Sequence, residues 1–488
     1  MFARPFTLLA LAWALAGASP PAAGASPTGG LGGDAAEVIG DEDAAILLST
    51  LSNAPSQGFE ANEFDPAPAA ALLGSADPVL HSRGEQLLAA VSVAYARAQH
   101  GERLEDRFPG NWAIRPVAYD GTADFNAALE DHRIADWVAT LPPPDQRYQR
   151  LVLAYARYQA IAAHGGWRSV ATSVSLKPGG TGQAVEALRQ RLAAEDPTIA
   201  AMEQAAGSHA SGVAPPAYDA VLAAAVSRAQ VRYGLGASGV ANAATIAALN
   251  VPVDRRLAQI TANLERWRWS PRSLPPYRVE LNIADASLAL YDAGAPALEM
   301  RVIVGQPSKQ TPMFEDGIKA VVFNPPWNVP ADIAAREVWP RIRRDPGYMA
   351  REGYVVRPGG GLQQLPGPRC ALGNIKFDLS NPFGVYLHDT PSRSLFARDS
   401  RTLSHGCMRL EKPNALAKRL LAGDPAWPET RIDFAIAGGK TVRAPLLAPV
   451  PLYVFYWTAF VDTDGQVEFR QDVYHWDDRL LALLAGRR

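Results

Sequence analysis

The chain has 488 residues, of which 48% are hydrophobic and 20% charged, and its formal net charge at pH 7 is −2. That length predicts two to four domains, and the composition allows sizeable cores and excludes a chain that is disordered throughout. A net charge this close to zero gives no electrostatic support for nucleic acid or an anionic membrane as a partner.

The N-terminal segment has the pattern of a secretory signal. Arg4 is followed by an apolar run at 6–18, and the tripeptide Ala-Gly-Ala, a plausible cleavage site, occurs at 16–18 and again at 23–25. The apolar run is shorter than a membrane-spanning helix, so we expect a signal peptide at 1–25 and a linker at 26–40. These features predict a mature protein outside the cytoplasm, without a stable membrane span.

Helical patterns fill the next part of the chain. Residues 148–163 place leucine and tyrosine side chains at helical spacing after a run of prolines, and 253–269 show another amphipathic helix. We expect this later helix to pack against the first helical region. Residues 41–175, continued by 253–270, are therefore predicted to form a helical scaffold domain that an insertion interrupts.

The insertion at 176–252 has a helical pattern of its own. A glycine-rich turn at 179–182 precedes one amphipathic helix, and residues 221–233 and 244–249 fit two more. This pattern resembles the three-helix peptidoglycan-binding domain, although that family usually has a large aromatic side chain where Ala229 stands. A helical spacer that binds no ligand is the alternative interpretation.

From residue 277 onward the apolar period changes from helical to alternating. The strand-like stretches are 278–283, 288–291, 299–304, 319–323, 374–377, 385–388, 454–460 and 467–469. Helix-like and then glycine- and proline-rich sequence at about 331–368 interrupts the strands, and an excursion of this length is typical of a lid. Residues 446–488 are predicted to form a hairpin around Asp464-Gly465 and a C-terminal helix.

The residues with the clearest chemistry lie in the stretch 404–409. It holds Cys407, one of only two cysteines, between Gly406 and a nearby Arg409, and His388 lies upstream. A thiol is a good nucleophile only as the thiolate, and a nearby imidazole or cation favours that form. Glycine permits close approach of a substrate, and backbone amides beside it could hold an oxyanion. The stretch therefore predicts a cysteine acyl-transfer site.

At these residues the chain resembles a known family. The segments 366–373, 386–391 and 404–410 make residues 277–445 similar to the L,D-transpeptidase catalytic domain. The helical region and its insertion extend the resemblance to the large periplasmic members of Gram-negative bacteria. The resemblance implies a multidomain α+β protein of the periplasm. Its helical scaffold, with the inserted three-helix unit, would precede a mostly β catalytic domain with a lid insertion.

The resemblance also implies roles for the residues of the motif. Cys407 would be the nucleophile and His388 its general base and acid, while the amides of Gly406 and Cys407 would form the oxyanion hole. Arg409 would hold a carboxylate of the stem peptide or stabilise the turn around the nucleophile. Supporting roles beside the nucleophile would fall to Ser404 and His405.

The reaction implied by the resemblance forms 3→3 crosslinks in peptidoglycan. The thiolate attacks the carbonyl of the third residue of a tetrapeptide stem, D-alanine leaves, and the amine of a neighbouring stem resolves the thioester. Peptidoglycan stems are then both donor and acceptor, no metal or other cofactor is required, and β-lactams of the carbapenem class are expected inhibitors.

Several alternatives stay open at this point. With water as acceptor the same acyl-enzyme would make an L,D-carboxypeptidase, and with a lipoprotein as acceptor it would attach that lipoprotein to peptidoglycan. A non-catalytic wall-binding scaffold belongs to another class, but the presence of both His388 and Cys407 favours an enzyme. Cys370 is interpreted as a bystander, and residues 277–488 are expected to acylate with a small donor on their own.

Overall fold

The computed structural model of this chain describes residues 39–104, 107–207, 217–462 and 464–486. The predicted signal peptide and nearly all of the predicted linker lie outside these ranges. Within them, none of the helices is both long and apolar enough to cross a membrane. A helical region is followed by a mostly β region, which confirms the α+β class expected from the sequence.

Helices α1 to α6 form the N-terminal region. They are α1 (Asp41–Ser52), α2 (Ala67–Leu73), α3 (Pro78–Gln99), α4 (Gly121–Glu130), α5 (Ile134–Thr140) and α6 (Gln146–Ala163), with short 3₁₀ turns at Ala54–Gln57 and Glu102–Leu104. Asp77, Asp120 and Asp145 each accept a hydrogen bond from an amide of the first turn, as N-cap residues do. Leu88 and Ile134 are fully buried between these helices.

The insertion contains four helices within the described residues, rather than the three that the sequence predicted. They are α7 (Gln183–Ala193), α8 (Pro197–Gly207), α9 (Ala220–Arg232) and α10 (Ala243–Leu249). Leu176 and Ala241 form a bridge that closes the unit. Ala229 is fully buried together with Leu188 and Leu222, so this position belongs to the core of the insertion.

Helix α11 (Val253–Trp269) returns to the N-terminal region and packs against α6. Its Glu265 is fully buried and accepts hydrogen bonds from Arg103 at 2.9 Å and Arg268 at 3.0 Å. Arg268 also donates to the hydroxyl of Tyr148 on α6 at 3.2 Å. A buried charged cluster thus fastens α11 to the 3₁₀ turn at Glu102–Leu104 and to α6, both of which precede the insertion.

Replacing Glu265 by glutamine is expected to destabilise the protein by about 3 kcal/mol or more. The reason is that two buried guanidinium groups, those of Arg103 and Arg268, lose a carboxylate partner in a dry interior. Chemical denaturation measures the change. The matched control is Asp131→Asn, which breaks the exposed pair between Asp131 and Arg133 and should cost far less stability, because water screens that pair. Equal losses from the two variants would contradict this account.

Strands dominate the chain from residue 278 onward. In chain order the elements are β1 (Arg278–Asn282), β2 (Ser287–Asp292), β3 (Ala295–Gly305), β4 (Phe314–Phe323), β5 (Trp327–Asn328), α12 (Ala331–Ile333), a π-helical turn (Ala334–Val338), α13 (Trp339–Arg344), α14 (Tyr348–Arg351), β6 (Tyr354–Val356), β7 (Leu362–Gln364), β8 (Ile375–Asp378), β9 (Leu387–His388), a 3₁₀ turn (Arg393–Ala397), β10 (Thr402–Ser404), β11 (Met408–Leu410), α15 (Pro413–Leu420), α16 (Glu429–Ala437), β12 (Val442–Phe455), β13 (Ala459–Val461), β14 (Val467–Phe469) and α17 (Trp476–Ala485).

The main sheet closes on itself. Its order is β10-β3-β11-β9-β8-β4-β12-β1-β2, and β2 also pairs with β3, so the strands from β3 round to β2 form a barrel. Neighbours are mostly antiparallel, but three pairs are parallel: β1 with β12, β9 with β11 and β10 with β3. The parallel pairing of β9 with β11 matters for the site, because it sets two separate motifs side by side.

Strand β12 is much longer than the sequence predicted. The alternating pattern indicated a strand only from residue 454, whereas β12 begins at Val442. Prolines obscured the earlier half, because proline lacks an amide donor and is uncommon inside a central strand. The register of β12 against β4 shifts between Pro445 and Val450, so a bulge accommodates the proline-rich stretch.

The excursion at 331–368, here called the lid, lies between β5 and β8 as predicted. It contains α12 to α14 and the hairpin of β6 and β7, which pairs with β5 in a three-stranded sheet. Val338, Tyr354 and Leu362 are buried in a small hydrophobic cluster separate from the main core. The lid therefore has a core of its own.

Helices α1 to α5 have a hydrophobic core of their own, whereas the segment around Trp112, helix α6, the insertion and α11 share one core with the β region. Trp112 is fully buried, with its ring centroid 5.7 Å from those of Trp269 on α11 and Trp476 on α17. Its backbone also forms a bridge with Met313, just before β4. The expectation that residues 277–488 would act alone finds no support here, because that fragment would expose apolar surface that Trp112 covers.

Candidate active site

Paired strands bring the motif residues onto one face of the barrel. Strands β9 and β11 run parallel, with Leu387 opposite Met408 and His388 opposite Arg409. Leu387 and Met408 are fully buried in the core, and successive side chains on a strand point to opposite faces. The alternation therefore places Cys407 on the same face as His388 and Arg409.

Two residues to which the sequence analysis gave no role share this face. Tyr386 precedes His388 by two positions, and its hydroxyl hydrogen-bonds with the Cys407 thiol. Lys376 lies opposite His388 on β8, and its Nζ is 4.7 Å from the centroid of the Tyr386 ring. Alternation along the chain could have indicated that Tyr386 shares a face with His388. Lys376 is brought to this face only by the pairing of β8 with β9.

Ser404 fixes the turn that carries the nucleophile. Its hydroxyl accepts a hydrogen bond from the amide of Gly406 at 3.1 Å and donates one to the carbonyl of Cys407 at 2.6 Å. Gly406 has a φ of +111°, which residues with a Cβ rarely adopt. The sequence predicted that the amides of Gly406 and Cys407 would both face an oxyanion. The Gly406 amide is already bonded to Ser404, so of these two only the Cys407 amide remains for an oxyanion.

Desolvation dominates the acidity of the nucleophile. Burial raises the pKa of the Cys407 thiol, while hydrogen bonds from Tyr386 and the positive charges of Arg409 and Lys376 oppose that rise. The net shift is upward. The neighbouring cations do favour the thiolate, as the sequence predicted, but burial outweighs them.

Alkylation of Cys407 by iodoacetamide is therefore expected to accelerate with pH to beyond about pH 8.5, the ordinary pKa of a thiol, without a plateau near neutrality. The rate is best measured in a Cys370→Ser background by intact mass, so that a single thiol reacts. Lys376→Met removes one favourable charge and should move the profile to still higher pH. A plateau below pH 7 would contradict the upward shift.

His388 is held as a neutral base. It is 4% exposed, and its Nδ1 lies 2.5 Å from the carbonyl oxygen of Asp389. A carbonyl only accepts hydrogen bonds, so Nδ1 carries the proton and Nε2 keeps a free lone pair. Burial lowers the pKa of His388 to about 3, and the charge of Arg409 acts in the same direction. His388 is therefore unprotonated at neutral pH, in the tautomer that a general base needs.

The predicted base and nucleophile are neighbours without being bonded. No hydrogen bond joins His388 to Cys407 in the part of the chain that the structure describes. They stand diagonally across β9 and β11, because Cys407 lies beside Tyr386 rather than His388. Catalytic hydrogen bonds often tighten only when the substrate is bound.

Arg409 has an unused donor. Its Nε is buried and has no hydrogen-bond partner among the described residues. Burial lowers the pKa of Arg409, and the nearby Cys407 and Glu337 oppose this shift. An unpaired buried donor costs on the order of 1–3 kcal/mol, a cost that a bound carboxylate would remove. This geometry fits the carboxylate-binding role expected for Arg409.

The sequence around this face matches a known domain family. Residues 276–427 match the family described as YkuD, the L,D-transpeptidase catalytic domain. This part of the chain is therefore similar to L,D-transpeptidase catalytic domains. Residues 39–154 match a family described as the Scaffold domain.

A curated relative carries the same assignment. A Haemophilus influenzae protein named "Putative L,D-transpeptidase" is 34% identical over 231 residues, which cover 43% of this chain and 47% of that protein. The chain thus spans about half the length of the curated relative that it matches.

Solved L,D-transpeptidases are similar to parts of this chain. An L,D-transpeptidase from Mycobacterium smegmatis is 17% identical, covering 37% of this chain and 58% of its own, with a TM-score of 0.21. L,D-transpeptidase 3 from Mycobacterium tuberculosis, solved with a faropenem-derived adduct, is 13% identical. The match covers 37% of this chain and 60% of that protein, with a TM-score of 0.20. The likeness of this chain to L,D-transpeptidases rests on the sequence matches.

The lid contacts the nucleophile turn through one polar pair and the loop between β3 and β4 through another. Glu337 Oε1 lies 2.6 Å from His405 Nε2, and Asp332 Oδ2 lies 3.0 Å from Lys309 Nζ. All four side chains are partly exposed, so each pair is individually weak. His405 is therefore placed beside Cys407 as a contact for the lid.

The second cysteine is a buried thiol close to a backbone carbonyl. Cys370 is 1% exposed, with its thiol 3.5 Å from the carbonyl oxygen of Pro325, and both cysteines are free thiols. Burial raises the pKa of Cys370, which disfavours its thiolate. These features agree with the bystander interpretation, which stays a prediction.

Proposed function

We propose that this chain is a transpeptidase that forms 3→3 crosslinks between peptidoglycan stems through a thioester on Cys407. The observation that carries the proposal is the shared face of β9 and β11, where Cys407, a neutral His388 and an unpaired Arg409 donor meet. A nucleophile, a base with a free nitrogen and a cation for a carboxylate are the groups that this acyl transfer needs.

In the first step, His388 accepts the thiol proton and the sulfur of Cys407 bonds to the carbonyl carbon of the third stem residue. The amide of Cys407 donates to the oxyanion that forms. The carbon–nitrogen bond to D-alanine then breaks, and the leaving amine takes up the proton from His388. A thioester remains on the enzyme.

In the second step, the side-chain amine of a neighbouring stem attacks the thioester. His388 accepts a proton from this amine as the new carbon–nitrogen bond forms. The carbon–sulfur bond breaks, and the sulfur recovers its proton from His388. The free energy comes from the donor peptide bond, so the chemistry needs no cofactor.

Arg409→Gln is expected to raise KM for a tetrapeptide donor by about 10-fold or more with little change in kcat. A hydrogen bond between charged groups contributes about 1.5–3 kcal/mol, and this contact would be made in both ground state and transition state. Arg409→Lys should recover part of the loss. A donor with its carboxylates esterified provides the control, because it should bind wild type and variant alike. An unchanged KM for the free acid would contradict carboxylate binding.

The decisive experiment is mass spectrometry of muropeptides after the purified protein is incubated with tetrapeptide stems. We expect 3→3 crosslinked dimers from the wild type and none from Cys407→Ala. Tripeptides without dimers would indicate the carboxypeptidase, and an adduct with an added lipoprotein peptide would indicate lipoprotein attachment. Unchanged stems with active-site thiol intact would overturn the proposal and favour a wall-binding scaffold.

Location and glycan binding belong to the same proposal. The pattern at 1–25 supports export to the periplasm, where peptidoglycan is found, and the resemblance at 176–252 supports binding to the wall. Fractionation of a Gram-negative host and sedimentation with purified sacculi test these two points. Recovery of the chain only in the cytoplasmic fraction, or only in the supernatant, would count against them.

A further inference from the structure

The peptide group that joins Gly406 to Cys407 is held at its carbonyl end by a buried hydroxyl. Thr311 is fully buried, and its Oγ1 donates a hydrogen bond to the carbonyl oxygen of Gly406 at 2.8 Å. Thr311 Oγ1 itself accepts a hydrogen bond from the amide of Gly305 at 2.9 Å. The position of the Thr311 hydroxyl is therefore fixed from both sides.

Fixing this carbonyl also fixes the amide of Cys407. The peptide bond is planar and trans, so the carbonyl of Gly406 and the N–H of Cys407 point in opposite directions from one rigid unit. Ser404 holds the peptide groups on either side, through the amide of Gly406 and the carbonyl of Cys407. The Cys407 amide is left without an acceptor in the described part of the chain, and its direction is set by Thr311.

Thr311 is supported in turn by the C-terminal segment. The hydroxyl of Tyr474 donates to the carbonyl of Gly305 at 2.5 Å and accepts the amide of Thr311 at 3.2 Å, so it joins both ends of the loop. The amide of Tyr474 donates to the hydroxyl of Tyr456 at 3.0 Å, and that hydroxyl donates to Asp472 at 2.6 Å. This chain of bonds lies inside the core, with Tyr456 and Tyr474 both buried.

The loop at 305–311, which these bonds support, is tightly packed against its own backbone. A Cβ at Gly305 would lie 2.1 Å from the carbonyl oxygen of Lys309, so the backbone of the loop is in close contact with itself. The side chain of Gln310 in the same loop accepts hydrogen bonds from Asn111 at 2.6 Å and from Trp476 at 3.2 Å. The loop is thus anchored both to the N-terminal region and to the C-terminal helix.

We infer that Thr311 and Tyr474 are positioning residues that orient the Cys407 amide as the oxyanion donor of the acyl-transfer site. The inference rests on the proposed function for its biological meaning, but its chemistry concerns any acyl donor. A donor aimed in advance at the developing charge stabilises the transition state without reorganisation. The bond from Thr311 to the Gly406 carbonyl also polarises the peptide group, which strengthens its N–H as a donor.

Two reactions of the same thiol separate this role from a general effect on folding or on the thiolate. The thiolate attacks the carbonyl of p-nitrophenyl acetate, an oxyanion forms, the carbon–oxygen bond breaks and p-nitrophenolate leaves. Iodoacetamide alkylates the thiolate by displacement of iodide, with no oxyanion. Thr311→Val, which is close to isosteric, is expected to slow acylation by roughly 10²-fold and to leave alkylation within about 2-fold of wild type.

Matched variants complete the test. Thr311→Ser keeps the hydroxyl and should acylate at near the wild-type rate. Tyr474→Phe should acylate about 5- to 10-fold more slowly with unchanged alkylation, because Tyr474 acts through Thr311. Tyr218→Phe is the control, because it removes a buried tyrosine hydroxyl bonded at 2.8 Å to Gly239 in the insertion. It should leave both rates unchanged.

Equal losses in acylation and alkylation for Thr311→Val and Tyr474→Phe would overturn the inference. They would show that Thr311 and Tyr474 act on the formation of the thiolate or on folding. Full acylation activity in both variants would overturn it as well. Normal acylation by p-nitrophenyl acetate without any muropeptide product would instead count against the proposed function. The two failures are therefore distinguishable.

Discussion

Cys407→Ala is expected to abolish acyl-enzyme formation with tetrapeptide donors and with carbapenems, while leaving the fold intact. The substitution removes the only thiol on the face that carries His388 and Arg409 in the described structure. Loss of one partly exposed sulfur should change the melting temperature by no more than about 3 °C. Intact-mass analysis should show one carbapenem adduct per wild-type chain and none on the variant.

The matched control for this prediction is Cys370→Ser. Cys370 is buried with a raised pKa, so its removal should leave the adduct at Cys407 unchanged. Turnover by Cys407→Ala would refute the assignment of the nucleophile. An inactive but folded Cys370→Ser variant would show that the bystander interpretation is wrong.

His388→Ala is expected to slow acylation at pH 7 by at least about 10²-fold, the usual contribution of a positioned general base. The pKa of His388 lies at about 3, so its Nε2 is free to accept a proton throughout the range from pH 5 to 9. The loss should shrink as pH rises, because the Cys407 thiolate then forms without help. Acylation rates of wild type and variant from pH 6 to 10 measure this.

The control for His388 is a histidine that touches the lid instead. His405→Ser breaks the contact with Glu337, which is partly exposed, and should reduce acylation far less than His388→Ala. A defect of His388→Ala that is independent of pH would assign the proton transfer to another group. A larger defect in His405→Ser would show that the lid contact governs the chemistry.

The site residues proposed from the sequence lie together, but their working state depends on the fold. The stretch 404–409 and His388 could be singled out because cysteine, glycine and histidine in this pattern are typical of nucleophilic catalysis. Their acidities could not be read from the pattern. The cations beside Cys407 favour its thiolate, yet burial by the surrounding strands raises its pKa.

Much of the secondary structure followed from local patterns. Helix α11 begins and ends where the period of its apolar residues predicted, at Val253 and Trp269. The first half of β12 was missed, because its prolines contradict a central strand and a bulge accommodates them only within the sheet. Helix α8 was also missed, so the insertion has one helix more than predicted.

By itself, the sequence determined the α+β order of the chain, the lid between strands and the candidate nucleophile and base, because each is encoded by neighbouring residues or by periodicity. Only the tertiary structure decided which groups surround them. Strand pairing brings Lys376 and Tyr386 to the surroundings of Cys407, and a hydrogen bond between distant segments brings Thr311 to Gly406 beside it. Such pairings depend on the register of whole strands and on burial, which arise from contacts far apart in the chain and leave no local pattern in the sequence.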